Sequence, residues 1–158
     1  MPATYEPIAT QTLTGSVSSI TFSSIPSTYT DLVLVMNANS GGFNTAITFN
    51  GTGGSAYSFT RIYGDGSSSA SDRQSNQSSW IYVAGSDTGT SKYGTAIIHL
   101  MNYANTTTYK TGLMRTSNSA YVMANVGLWQ YTNAINSITV SASFTSGSMF
   151  TLYGIKAA

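Results

Sequence analysis

The sequence contains no cysteine, which excludes a disulfide framework, a thiolate nucleophile and thiolate-ligated zinc together. Charge is scarce: 7% of residues, against roughly a quarter in an ordinary soluble domain. A net charge of +1 supplies no field to gather phosphate, so nucleic-acid binding is not expected. No uninterrupted apolar run approaches the roughly 18 residues of a membrane-spanning helix. The opening Met1-Pro-Ala-Thr-Tyr-Glu6 has neither a basic leader nor an apolar h-region, so neither export by a standard signal nor membrane insertion is expected. His99 is the sole histidine and Glu6 the sole glutamate, which leaves little for proton transfer.

What replaces charge as the solubilising surface is Ser, Thr, Asn and Gly. Ser, Asn and Gly favour turns and Thr favours strands, so the composition points to an all-β chain rich in loops. Apolar residues stand at an ordinary 41%, and 158 residues suffice for one domain, residues 1–158, with a core that needs no metal or disulfide.

Strand signals recur at short, even spacing and no period near 3.6 persists, which predicts an antiparallel β-sandwich and no long helix. The first strand runs from Tyr5 to Thr12, within residues 1–14, and Pro7 makes it an edge strand or arm. Ser18–Phe22 and Asp31–Ala38 follow, then Phe43–Phe49 and, beyond the Asn50-Gly-Thr-Gly-Gly54 turn, Tyr57–Tyr63. Residues 64–79 have no periodicity and read as a long exposed loop. Trp80–Val83, a turn at Gly85–Gly89, Tyr93–Met101, Tyr109–Arg115 and Tyr121–Trp129 come next. The last two strands, Ile138–Phe144 and Met149–Ile155, flank a Gly-containing turn and predict a closing hairpin. In the first of them Ile138, Val140, Ala142 and Phe144 alternate with polar residues; in the second both rows are apolar.

Strands 31–38, 93–101 and 121–129 also carry apolar side chains on both faces. A sandwich normally buries one face of each sheet, so a second apolar face calls for a cover. Loops of the same chain or a subunit interface would serve, and the scarcity of charge favours the interface. The candidate interface residues are Ile97, His99 and Met101 on one strand and Tyr121, Met123 and Trp129 on another.

Residues that suggest chemistry are few. His99 lies mid-strand among Ile97, Ile98, Leu100 and Met101, which reads as a structural histidine rather than a catalytic base. Asp31, Asp65, Asp72 and Asp87 could form a carboxylate pair, but three of them lie in polar loops where nothing separates their pKa values. Asp65 and Asp72 could also hold calcium; their spacing matches no loop motif, and solvated turn residues are the simpler reading. Trp80 and Trp129 could stack on sugar, though their strand positions favour core or interface packing. Arg61, Lys92, Lys110 and Arg115 lie in or beside strands and could anchor subunit contacts. No catalytic site, metal or cofactor is predicted.

Several stretches taken together resemble the small virion structural proteins of tailed bacteriophages, especially aquatic ones. They are Tyr5-Glu-Pro-Ile-Ala-Thr10, Ile20-Thr-Phe-Ser-Ser-Ile-Pro26 with Thr28-Tyr-Thr-Asp-Leu32, Asn50-Gly-Thr-Gly-Gly-Ser55, and Arg61-Ile-Tyr-Gly-Asp-Gly-Ser67. Gly127-Leu-Trp-Gln130 with Ala134-Ile-Asn-Ser-Ile138, and Gly147-Ser-Met-Phe-Thr-Leu-Tyr-Gly-Ile155, complete the set. The resemblance implies a jelly-roll-like sandwich without catalytic activity. It also implies a capsid decoration (cement) subunit on the outer virion surface, a homo-oligomer (a trimer) partnered by the major capsid protein. The alternative is a tail or fibre component that recognises host glycan.

Overall fold

The computed structural model describes residues 4–40, 45–81 and 93–156. Eleven strands and no helix occupy the described residues. They are β1 (Tyr5–Thr12), β2 (Val17–Phe22), β3 (Asp31–Ala38), β4 (Ala46–Phe49), β5 (Tyr57–Gly64), β6 (Ser69–Gln77), β7 (Gly94–Met101), β8 (Lys110–Ser117), β9 (Val122–Trp129), β10 (Ile138–Phe144) and β11 (Met149–Ile155). All pair antiparallel in two sheets. The larger has the order β1-β11-β3-β7-β8-β9-β5-β6 and the smaller β2-β10-β4. From β1 to β5 each successive strand changes sheet, and β9, β10 and β11 do so again. The architecture is thus the expected antiparallel β-sandwich, with the sheet-switching connections of a jelly-roll-like fold.

Two expectations are corrected. First, β10 and β11 are not a hairpin: β10 pairs with β2 and β4, β11 with β1 and β3. The turn at Thr145–Ser148 carries the chain across the sandwich, and Phe144 meets Phe150 edge-on at 4.9 Å between the two layers. Second, residues 64–79 are not one long loop. Only Asp65–Ser68 turn, and Ser69–Gln77 form β6, the edge strand hydrogen-bonded along β5. β6 is exposed or half-buried throughout, so no apolar alternation was required of its sequence.

Elsewhere the strands sit within two residues of their predicted limits, except that β4 starts at Ala46 rather than Phe43. Trp80 forms only an isolated bridge to Ile47. Val83, Phe43, the Gly85–Gly89 turn, Asp87 and Lys92 lie outside the described residues. The predicted turn at Asn50-Gly51 is present, with φ of 53° and 64° on the two residues. The Asn50 side chain accepts from the N–H groups of Asn136 and Ser137 and donates to the Ala134 carbonyl, which ties this turn to the segment before β10.

The core lies between the sheets. Leu32, Leu34 and Met36 of β3, Ala96, Ile98 and Leu100 of β7, and Phe150 and Leu152 of β11 face Ile20, Phe22, Ile47, Phe49, Ile138, Val140 and Phe144 of the smaller sheet. Each large aliphatic side chain taken fully out of water contributes about 1.5–3 kcal/mol. One end is filled by aromatic rings. Trp80 sets its edge against Phe49 at 4.8 Å, donates its indole N–H to the Leu128 carbonyl at 3.1 Å, and lies over Gly112 and Gly127. The smaller sheet turns Thr21, Thr139 and Ser19 to solvent, the polar outer face expected of an antiparallel layer.

A candidate interaction surface on the larger sheet

The outer face of the larger sheet is different. On β9 the side chains of Val122, Ala124, Val126 and Leu128 point away from the core, because Asn125, Gly127 and Trp129 of the alternate row are buried. The ladder places Leu113 beside Val126, Arg115 beside Ala124, and Ile97 beside Arg115. Ile62 lies on the far side of Ala124, and Thr60 beside Val126. Val122 is 64% exposed, Ile62 62% and Val126 52%, with Leu113 and Met101 also open. Such a cluster on one sheet face exceeds the scattered single apolar residues of an ordinary surface.

Two grooves run over this half of the sheet. One, about 910 Å³, is lined by Ile62, Ile97, Arg115, Val122, Met123 and Ala124 among others, with Ser69, Ser71, Thr95 and Ser117 at its polar margin. The other, about 650 Å³, lies between Thr60 and Arg73 on one side and Thr111, Val126 and Leu128 on the other. Further along β7, His99 shares the outer row with Ile97 and Met101. Its Nε2 is 3.0 Å from Asp31 Oδ2, while Asp31 Oδ1 accepts the Asn102 N–H at 2.7 Å. That pair fixes the imidazole against the start of β3, as a structural histidine would be fixed.

The predicted interface residues thus divide. Ile97 and Met123 line the larger groove, and His99 and Met101 lie on the same outer face. Tyr121 is half-buried and packs edge-on against Tyr63 at 6.2 Å. Trp129 is fully buried, so its place in an interface is corrected: it packs against Tyr57 and Phe49 in the core. On β9 the outward row is the other one, Val122 to Leu128. The signal that could have settled it is glycine. Gly112 and Gly127 are register partners, and a Cβ at either would meet Trp80, so the row containing Gly127 must face the core. Trp80 is also fully buried, and neither tryptophan offers a ring face to a sugar.

The remaining polar candidates have local tasks. Asp65 accepts from the N–H and hydroxyl groups of Ser67 and Ser68, and these bonds hold its carboxyl well below the usual carboxylate range. Asp72 takes a two-pronged bond from Arg61, at 2.5 and 2.9 Å, so the two aspartates do not converge on a cation. Among the described residues no group of three His, Cys, Asp or Glu side chains could hold a metal ion. Lys110 is buried, with Nζ donating to the Thr108 and Thr132 carbonyls at 2.7 and 3.0 Å, and burial pushes its pKa down. It supports the β8 entry rather than a subunit contact. No described helix is long and apolar enough to cross a membrane.

No protein-family model matches the chain, and no curated protein matches it. Solved structures with a similar course of chain include a toad ovary galectin in complex with thio-digalactose. It is 6% identical with a TM-score of 0.42, over 86% of this chain and 98% of that one. Galectin LEC-6 of Caenorhabditis elegans is 8% identical, TM-score 0.39, over 87% and 95%. The homodimeric agglutinin CG-16 from chicken liver is 12% identical, TM-score 0.38, over 84% and 98%. A likeness of this size carries no argument about what the present chain binds.

Proposed function

We propose that the protein is a structural subunit of a tailed-phage virion, a non-enzymatic capsid decoration protein that attaches to the outer shell and braces it. The observation that carries this reading is the apolar outer face of the larger sheet, with Ile62, Leu113, Val122 and Val126 open to solvent on a chain with very little charge. A surface of that composition is stable in water chiefly when another protein covers it. The resemblance of the sequence to small virion proteins supplies the setting: the major capsid protein as partner, and a symmetric assembly of the subunit itself, most simply a trimer. The sole histidine engaged with Asp31 supports a structural rather than a catalytic role.

Purified protein added to capsids that lack it tests the proposal. It is expected to bind, to raise the resistance of the particles to heat, and to withstand moderate salt and free sugars, since buried apolar contacts dominate such an interface. Sedimentation of the isolated protein is expected to show an oligomer. Protein that ignores capsids but binds cells or a glycan array overturns the proposal in favour of a receptor-binding module.

A further inference from the structure

The described charges are almost all engaged within the chain. Glu6 pairs with Lys156, Asp31 with His99, Asp72 with Arg61, and Asp65 caps its own turn. Lys110 is buried against carbonyls. The two remaining described cations are Arg73 and Arg115. Neither makes a hydrogen bond or an ion pair among the described residues. Both stand on the outer face of the larger sheet, one in each groove: Arg115 between Ala124 and Ile97, Arg73 opposite Thr60.

Each groove therefore joins an apolar wall to one guanidinium that no described carboxylate answers, a group whose planar fork suits a carboxylate. A second copy of this face supplies no answer. It offers the same two cations, and its described carboxylates are already engaged within its own chain. Like charges across an interface suppress that pairing. The spread of the apolar residues over two grooves and four strands also exceeds a small ligand, so the occupant is a protein surface.

We propose that the outer face of the larger sheet docks a different protein, through a surface that sets one carboxylate amid apolar side chains opposite Arg115 and another opposite Arg73. Within the proposed function, on which this inference rests, that partner is the capsid shell protein. Contacts between copies of the subunit then fall elsewhere.

Capsids lacking the protein are the probe, with binding measured for wild type, Arg73→Glu, Arg115→Glu and Arg115→Gln. Ser19→Glu, on the exposed outer row of β2, is the control for an added negative charge. Each charge reversal is expected to weaken binding at least tenfold and Arg115→Gln by less, with the control unchanged and the oligomeric state in sedimentation unaltered. Thermal melting confirms that the variants fold, and should a reversal fail to fold, Arg115→Gln alone decides by the same comparison. Wild-type binding that the reversals leave intact overturns this inference while the decoration role stands. A reversal that alters self-association also overturns it, by making the face a contact between copies. Failure of wild type to bind capsids overturns both.

Discussion

The indole of Trp80 lies directly on the backbone of Gly127: a Cβ built on that glycine would fall 2.4 Å from Cε2 of the ring. Gly127→Ala should therefore destabilise the fold by about 1–3 kcal/mol, the usual cost of overpacking a filled core. Gly53→Ala, where nothing lies within 4 Å, should be close to neutral. Urea denaturation of the two variants checks the contrast, and equal midpoints would mean that Trp80 can move away at little cost.

Leu152 is fully buried and stands in register between Ala9 of β1 and Leu34 of β3. Leu152→Ala should cost about 2–5 kcal/mol. A loss below about 1 kcal/mol in the same denaturation assay would place the side chain outside the packed core.

Removal of the chain from Met149 onward takes away the only described strand that pairs with β1 and opens the edge of β3. The truncated protein should aggregate, because an unpaired edge beside an exposed apolar core recruits other chains. Light scattering during expression or refolding reports it, and a soluble monomer with native circular dichroism would contradict it.

The turn between β5 and β6 should weaken in acid. The hydrogen bonds from Ser67 and Ser68 depress the folded-state pKa of Asp65, whereas the unfolded value is about 3.9. A depressed carboxyl stabilises the fold above its unfolded pKa, and that contribution is lost as pH falls through the folded one. Hydrogen-exchange protection along Ser69–Gln77 should therefore decline once the pH drops below about 4. In Asp65→Ala the protection should be lower at neutral pH and should respond less to acid.

Much of this fold was legible in the sequence, and the two corrections have physical reasons. Strands with a buried face announced themselves, because Leu32, Leu34 and Met36, or Ala96, Ile98 and Leu100, must alternate toward the core. β6 was illegible as a strand because its edge position leaves it largely exposed, so Ser-rich sequence suffices. The relation of β10 to β11 was half visible. Clean alternation in β10 suits the smaller sheet with its polar outer face, while apolar residues on both rows of β11 suit the larger sheet, so the contrast marked two different sheets. The short turn alone does not distinguish a hairpin from an arch between layers. As for the surface, Ile97, His99 and Met101 were found from the surplus apolar row of β7. The outward row of β9 was not, because both rows of that strand carry apolar residues and it is the packing of Trp80 on Gly112 and Gly127 that decides which is covered.

The slot that β11 fills, between β1 and β3, has a consequence for biosynthesis. Every other described strand leaves the ribosome earlier. While β11 is still in the exit tunnel, β1 has no described strand to pair with, and β3 can bind β7 on one side only. The larger sheet therefore closes after translation of its other strands rather than in step with them. A chain stalled before Met149 is the species most exposed to misassociation, and the one for which a holding chaperone would matter most.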